Sequence, residues 1–413
     1  MLHSAVITEP RRSVFAVLDM GSTKMVCLVV RVNSEGIPEI LGVGHKASEG
    51  INGGAIANKH SAGSSILSSI DLAEQVSAQT ISQVYVSVAG CGVRSFSVSN
   101  EVSSNVREIS GRDIGRVMLK TYEKFRGEDI VIHNVPLAYH LDDLNNVVDL
   151  TGLCGKQLRA DVHAVTVSKT ALYNIENSIT VSNLSMGGCV AESYASGISC
   201  LTEDERELGT LVIDMGGHYT SMGFFYKGKF VHADSIPFGG IHITRDVAYG
   251  ICTSIRDAER IKMLHGSAVQ TSADKNYSVE IENMDGETQC VARLDIANII
   301  RPRVEEILEF VKCRIDEHKD VVGKVVITGG CSKLTGIKEI AGAVLGRQVR
   351  IGAPFHIKGM WQEYGGRPEF SAAVGTAMLI ARTFSGSTQI KRQHRTHSSV
   401  EKVLRWIITK VET

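Results

Sequence analysis

Apolar positions fall in short, uninterrupted blocks near the start of the chain, the pattern of strands buried on both faces. Residues 14–18 (Val-Phe-Ala-Val-Leu) form one such block, which ends at Asp19. Gly21-Ser22-Thr23-Lys24 follows as a turn, and residues 25–32 return as a second buried strand. The pair predicts a β-hairpin with an acidic, glycine-containing tip. Residues 41–44 and a glycine-rich loop at 50–54 come next. Ile66, Ile70 and Ala73 share one face of a helix predicted over 61–76, and residues 84–89 read as a further strand.

The pattern changes over residues 91–165. Serines and short alternations prevail (Phe96, Val98; later Val131, Ile132, Val135), around a helical stretch at 111–125. This predicts a separate α+β subdomain inserted into a first lobe. Residues 162–167 are expected to resume the strand pattern, with a helix over 169–181. A second hairpin follows: strand 211–213, turn Asp214-Met215-Gly216-Gly217, strand 221–225. Both hairpins read apolar strand, Asp-Met-Gly, polar turn, strand, and Asp214 lies 195 positions after Asp19. A duplication on that scale predicts two similar lobes facing each other. Residues 325–328 lead into Gly329-Gly330 as a third strand-to-glycine turn, with a helix from about 336. Residues 385–398 are polar, carry Lys391, Arg392 and Arg395, and read as a flexible linker.

The expected division is therefore a first lobe at 1–90, the insert at 91–165, and the first lobe continued at 166–207. A second lobe at 208–384 returns to the first at its end; the linker (385–398) and a terminal amphipathic segment (399–413) follow. The fold class is α/β, two-lobed.

Composition adds exclusions. The 413 residues are 43% apolar and 22% charged, with a formal net charge of −1. That balance argues against a nucleic-acid partner, which calls for a basic domain. Nine cysteines without a C-x-x-C spacing fit free thiols in a reducing compartment. Arg11 and Arg12 precede only five apolar residues, too few for a secretory signal, and no apolar run approaches the ~20 residues of a spanning helix. The body is expected to be cytoplasmic.

Glycine turns flanked by hydroxyls are suited to phosphates, because backbone N–H groups approach without side-chain bulk. Ser22, Thr23 and Lys24 add donors and a positive charge. Asp19 and Asp214, each ending a buried strand, suit a hydrated Mg²⁺ between the lobes. Glu259 and Lys262, three apart on a predicted helix, share a face and could hydrogen-bond a ribose.

These residues resemble the actin, sugar-kinase and heat-shock-chaperone ATPase fold. More closely, the chain from Phe15 onward resembles the FtsA family of bacterial cell-division proteins. The resemblance is carried by Leu201-Thr-Glu-Asp-Glu-Arg-Glu-Leu-Gly209, Val212-Ile-Asp-Met-Gly-Gly217, Asp257-Ala-Glu-Arg-Ile-Lys-Met-Leu-His-Gly266, Ile327-Thr-Gly-Gly330 and Val349-Arg-Ile-Gly-Ala-Pro354. It implies an actin-like protein that binds ATP and Mg²⁺ and is at most a weak ATPase. It assigns Asp19, Gly21, Ser22, Thr23 and Lys24 to a first phosphate motif and Asp214, Gly216 and Gly217 to a second. Gly329 and Gly330 fall to an adenosine motif, and Glu259 and Lys262 to a ribose pair. Arg303 and Glu306, in Arg301-Pro-Arg303-Val-Glu-Glu306, match the region that contacts the C-terminal peptide of FtsZ. The resemblance further implies self-association into filaments, anchoring of the FtsZ ring to the inner face of the membrane at the division site, and recruitment of later division proteins through the insert. One departure stands out. The second motif usually reads D-x-G-G-G-T, but His218 and Tyr219 occupy its last two positions here. Thr220 is the nearest replacement for the lost hydroxyl, and His218 is a possible phosphate donor.

At the C-terminus, Val400, Val403, Leu404, Ile407 and Val411 make one apolar stripe, with Trp406 at its flank and Lys402, Arg405 and Lys410 beside it. That composition suits a helix lying in a membrane interface. Two alternatives share the fold: a small-molecule kinase, which gives no reason for such a helix, and an actin-like pilus-assembly protein, which lacks the 201–209 stretch.

Overall fold

The structure is a computed structural model. It describes residues 14–389 except 34, 91, 126, 128, 151, 271–274, 276, 285 and 361–363.

The first lobe opens with the predicted hairpin, Val14–Met20 (β1) and Lys24–Val32 (β2), which places Met20 opposite Met25 at the tip. Pro38–Ala47 (β3) pairs with β2, and two-residue strands Ile51–Asn52 (β4) and Ala55–Ile56 (β5) close the glycine loop. Helix Lys59–Ser77 (α1) starts where the Asn58 side chain accepts from the His60 and Ser61 N–H groups, a cap for donors the helix leaves unpaired. Gln83–Val88 (β6) then runs parallel to β1.

The insert follows as Arg94–Glu108 (β7), Gly111–Lys124 (α2), Asp129–Leu141 (β8), Leu144–Val147 (β9) and Cys154–Ser168 (β10). Its antiparallel sheet has the order β7-β10-β8-β9. Ile114, Val117 and Met118 of α2 pack on Leu141, Leu158, Ala160 and Val162 of that sheet. Residues 162–167 are the end of one long strand paired with β7 and β8, and its Val165 and Val167 also pack into the core of the first lobe.

The chain re-enters the first lobe through Lys169–Val181 (α3) and Ser185–Ala191 (β11). It crosses to the second on Glu192–Cys200 (α4) and Glu203–Leu208 (α5). There, Thr210–Met215 (β12), Thr220–Tyr226 (β13) and Lys229–Ile236 (β14) precede Gly240–Gly250 (α6) and Ile255–His265 (α7). A hairpin of Ser278–Glu282 (β15) and Thr288–Ala292 (β16) leads to the long helix Arg293–Glu317 (α8). Lys324–Thr328 (β17), Ile337–Leu345 (α9) and Gln348–Ile351 (β18) complete the lobe.

The two main sheets match strand for strand. The first is β3-β2-β1-β6-β11 and the second β14-β13-β12-β17-β18. In each, two antiparallel pairings are followed by two parallel ones. The duplication expected from the Asp-Met-Gly turns is therefore present in the topology.

Two helices join the lobes. Ser371–Gln389 (α10) returns to the first lobe, where Ala373, Val374 and Ala377 cover Val17, Leu28 and Tyr85. It takes in residues 385–389 of the expected linker; residues 390–398 lie outside the described residues. Against α10 lies α4, buried on nearly every side. The helices approach so closely that a β-carbon on Gly375 would overlap the Ala195 carbonyl oxygen.

Candidate functional site

The glycine turns at the ends of β1, β12 and β17 converge between the lobes. A β-carbon built on Gly217 would lie 2.5 Å from the Thr23 methyl group and 3.1 Å from the Ser22 hydroxyl, so the two Asp-Met-Gly turns touch. Gly329 holds φ +85, a conformation glycine adopts freely, and a side chain there would strike the Asp214 carboxylate. Gly330 opens a 3-10 turn and faces open space.

Both predicted carboxylates are buried and hydrogen-bonded. Ser87 Oγ donates to Asp19 at 2.5 Å, and Ser196 Oγ donates to Asp214 at 2.5 Å. Burial pushes the Asp19 carboxyl up, against the pull of Ser87 and Lys24. Burial likewise lifts Asp214 to about 6, and the Asp19 charge adds to it. Lys24 donates to the Glu369 carbonyl and sits 4.7 Å over the Phe370 ring. Burial lowers its ammonium, opposed by Asp19, Glu369 and Asp214.

A third carboxylate escaped the sequence reading. Glu192, the first residue of α4, accepts from Ser221 Oγ at 2.6 Å. Burial first, and then the charges of Asp214 and Asp19, push it well above the usual carboxylate range. Its signal was an acid directly after an apolar run, Cys189-Val190-Ala191, as with Asp19 and Asp214. Two buried acids, Asp19 and Asp214, and the half-buried Glu192 thus lie near the half-buried Lys24.

The altered positions of the second turn have distinct fates. Thr220 does not replace the missing hydroxyl: it is fully buried on β13 and donates to the Phe238 carbonyl at 2.8 Å. Tyr219 lays its ring against Gly90, whose φ is +59 and whose added β-carbon would sit 2.6 Å from that ring. His218 lies beside Arg245 and His242, and its buried Nδ1 has no hydrogen-bond partner among the described residues. Burial and those two neighbours lower its pKa, so the ring is neutral. The turn is braced from behind by α6, whose Gly240 and Ile241 N–H groups donate to the Gly216 and Gly217 carbonyls at 3.0 and 2.8 Å.

Glu259 and Lys262, the residues expected to meet a ribose, pair with each other. Lys262 Nζ donates to Glu259 (2.7 Å), Thr244 Oγ1 (2.9 Å) and the Gly240 carbonyl (3.1 Å). All three ammonium donors are thereby committed within the protein. Lys262 fixes Glu259, whose side chain is the more exposed of the two.

Arg303 and Glu306 lie elsewhere in the second lobe. They line a cavity of about 540 Å³ with Asp246, Tyr249, Ile299 and Pro302. Arg303 is held by Asp246 at 2.5 and 3.1 Å and by Glu306, and these partners raise its pKa further. The predicted membrane residues Val400, Val403, Leu404, Trp406, Ile407 and Val411 lie outside the described residues.

Comparison with known proteins decides the family. A family profile described as "Cell division protein FtsA" matches residues 211–375, and another, "SHS2 domain inserted in FTSA", matches 90–166. "Cell division protein FtsA" of Agrobacterium fabrum is 37% identical over 388 residues, 89% of this chain and 87% of that protein. The chain belongs to the FtsA family of cell-division proteins. Solved structures place its fold among actin-like proteins. A "PilM-PilN type IV pilus biogenesis complex" chain superposes with TM-score 0.65 at 16% identity, covering 90% of this chain and 99% of that one. "MreB5 of Spiroplasma citri bound to ADP" gives TM-score 0.57 at 13% identity over 93% and 100%. At those identities the likeness speaks for fold alone; it is the cell-division relatives that set aside the pilus-assembly and kinase alternatives in favour of an actin-like cell-division protein.

Proposed function

We propose that this cell-division protein binds Mg·ATP between its lobes and joins an FtsZ ring to the cytoplasmic face of the membrane at the division site. The observation that carries the nucleotide reading is the meeting of two duplicated Asp-Met-Gly turns over two buried carboxylates, Asp19 and Asp214, with the half-buried Glu192 beside them. Carboxyls raised by burial and by one another are relieved by a divalent cation. Among the described residues no three His, Cys, Asp or Glu are grouped to ligate a metal. A cation here would be held by Asp19 and Asp214 through its water shell, with phosphates on Ser22, Thr23 and Lys24. Glu192, at the start of the crossing helix, would orient water near the terminal phosphate.

The membrane reading rests on the stripe at 400–411, since among the described residues no helix is long and apolar enough to cross a membrane. Contact with FtsZ rests on the Arg303 cavity, whose Ile299, Pro302 and Tyr249 offer apolar wall beside the cation. A peptide carboxylate arriving there would share Arg303 with Asp246. Later division proteins would dock on the insert, and self-association would align copies as in an actin-like filament.

Titration calorimetry of the full chain with a synthetic FtsZ C-terminal peptide tests the partner. Arg303→Glu places three carboxylates together and should abolish binding, while Arg301→Ala, whose side chain pairs with Glu305, should retain it. Unchanged affinity in Arg303→Glu would remove the assignment.

A further inference from the structure

We infer that the inserted subdomain is the clamp of the nucleotide cleft: it holds the second lobe against the first, and its release sets the rate of nucleotide exchange. The inference rests on the nucleotide reading above.

By chain connectivity the insert belongs to the first lobe, leaving after β6 and returning at α3. Its polar contacts reach the second lobe, on edge strand β14. Ser95 Oγ of β7 lies 2.6 Å from His163 Nε2, 3.1 Å from His232 Nδ1 and 3.0 Å from the Ala233 N–H. His163 Nδ1 lies 2.8 Å from the Phe230 carbonyl. A carbonyl only accepts, so His163 carries its proton on Nδ1 and its Nε2 accepts. Ser95 therefore donates to His163 and accepts from Ala233 and from His232 Nδ1–H. Every member is satisfied in this one arrangement, with both rings neutral. Burial agrees, lowering each of these histidines to about 4. Lys229 of the same edge donates to the Leu137 carbonyl of β8 at 2.5 Å.

Two further contacts run from the insert to the cleft itself. The Tyr219 ring, on the second phosphate turn, packs on Gly90 at the root of the insert. His133 of β8 accepts from the Ala191 N–H at 2.8 Å, which ties the insert to β11 of the first lobe one residue before the half-buried Glu192. His133 lies close to His163, and burial followed by that neighbour lowers it to about 3, so it stays an acceptor. The lobes cannot part along β14 without breaking the Ser95 bonds and lifting Tyr219 from Gly90. A partner that displaces the insert would thereby free the nucleotide.

Two measurements on the full chain test this. In the unaltered protein, saturating Mg·ATP should slow hydrogen exchange at the Ala233 amide several-fold; no change overturns the clamp and needs no variant. Release of radiolabelled ATP into excess unlabelled ATP should be about tenfold faster in Ser95→Ala and His133→Phe. His133→Gln, which keeps an acceptor, should restore the slow rate, and Arg112→Ala, exposed on α2, should not alter it. Unaltered release from both latch variants, in a protein that binds ATP, sinks the clamp alone. Absence of ATP binding by the unaltered protein sinks the nucleotide reading and the clamp together.

Discussion

Asp214 concentrates the conflict between stability and binding at one side chain. Burial with Asp19 nearby raises it from 3.8 to about 6. The fold therefore prefers the protonated form. Its contribution is intact below pH 3.8 and is lost as pH rises through about 6, by about 3 kcal/mol at 1.36 per unit. Asp214→Asn keeps the shape and removes the titration. Urea denaturation should find this variant more stable than the unaltered protein at pH 8 by up to about 3 kcal/mol, with the gain nearly gone at pH 4. A gain independent of pH would mean that the carboxyl is not its source. Calorimetry should show weaker Mg·ATP binding in the same variant. Asp19 and Asp214 were legible in the sequence because each stops an apolar strand at a glycine turn. Glu192 was not, because its strand contains Gly187 and Gly188 and does not look like one. Nor could spacing show that Thr220 points away from the cleft; its pairing opposite Met215 on β13 decides that.

At the scale of elements, the α4–α10 crossing is where tight packing joins the lobes. Gly375→Ala adds a methyl against the Ala195 backbone oxygen, which cannot rotate away. Overpacking of this kind costs roughly 1–3 kcal/mol, and more where backbone must move. Gly342 in α9 is the contrast, since its β-carbon would meet nothing nearer than 3.9 Å. Gly342→Ala should stabilise by about 0.5–1 kcal/mol, through helix propensity and a less flexible unfolded chain. Denaturation midpoints of the two variants should move in opposite directions; a loss in both, or a gain in both, would contradict the packing described. The hairpins were readable because each strand is a plain apolar run. Helix α4 was not. Seven of its nine residues are buried, and with serines, glycine and cysteine among them no apolar stripe marks the helical period. Strand β10 was split by the reading at 165 because its far half changes from alternating to continuous burial where it nears the lobes.

For the whole molecule, the decisive quantity is how many copies act together. The stripe at 400–411 carries Lys402, Arg405 and Lys410, each contributing roughly 1 kcal/mol near an anionic leaflet. Three or four partly buried apolar side chains add a few more, at about 1.5–3 kcal/mol each when fully buried. On the proposed reading, one copy would then be a reversible anchor. Copies joined in a filament would bind their second and later terminal segments intramolecularly, and avidity can then exceed the single affinity by about 10²–10⁴. Self-association and attachment would therefore reinforce each other. Co-sedimentation with phosphatidylglycerol vesicles should show binding that rises more steeply than protein concentration, weakens with salt, and disappears when residues 399–413 are removed. Equal binding by the shortened chain would sink the anchor. Binding strictly proportional to concentration would instead retain the helix and deny the cooperation between copies.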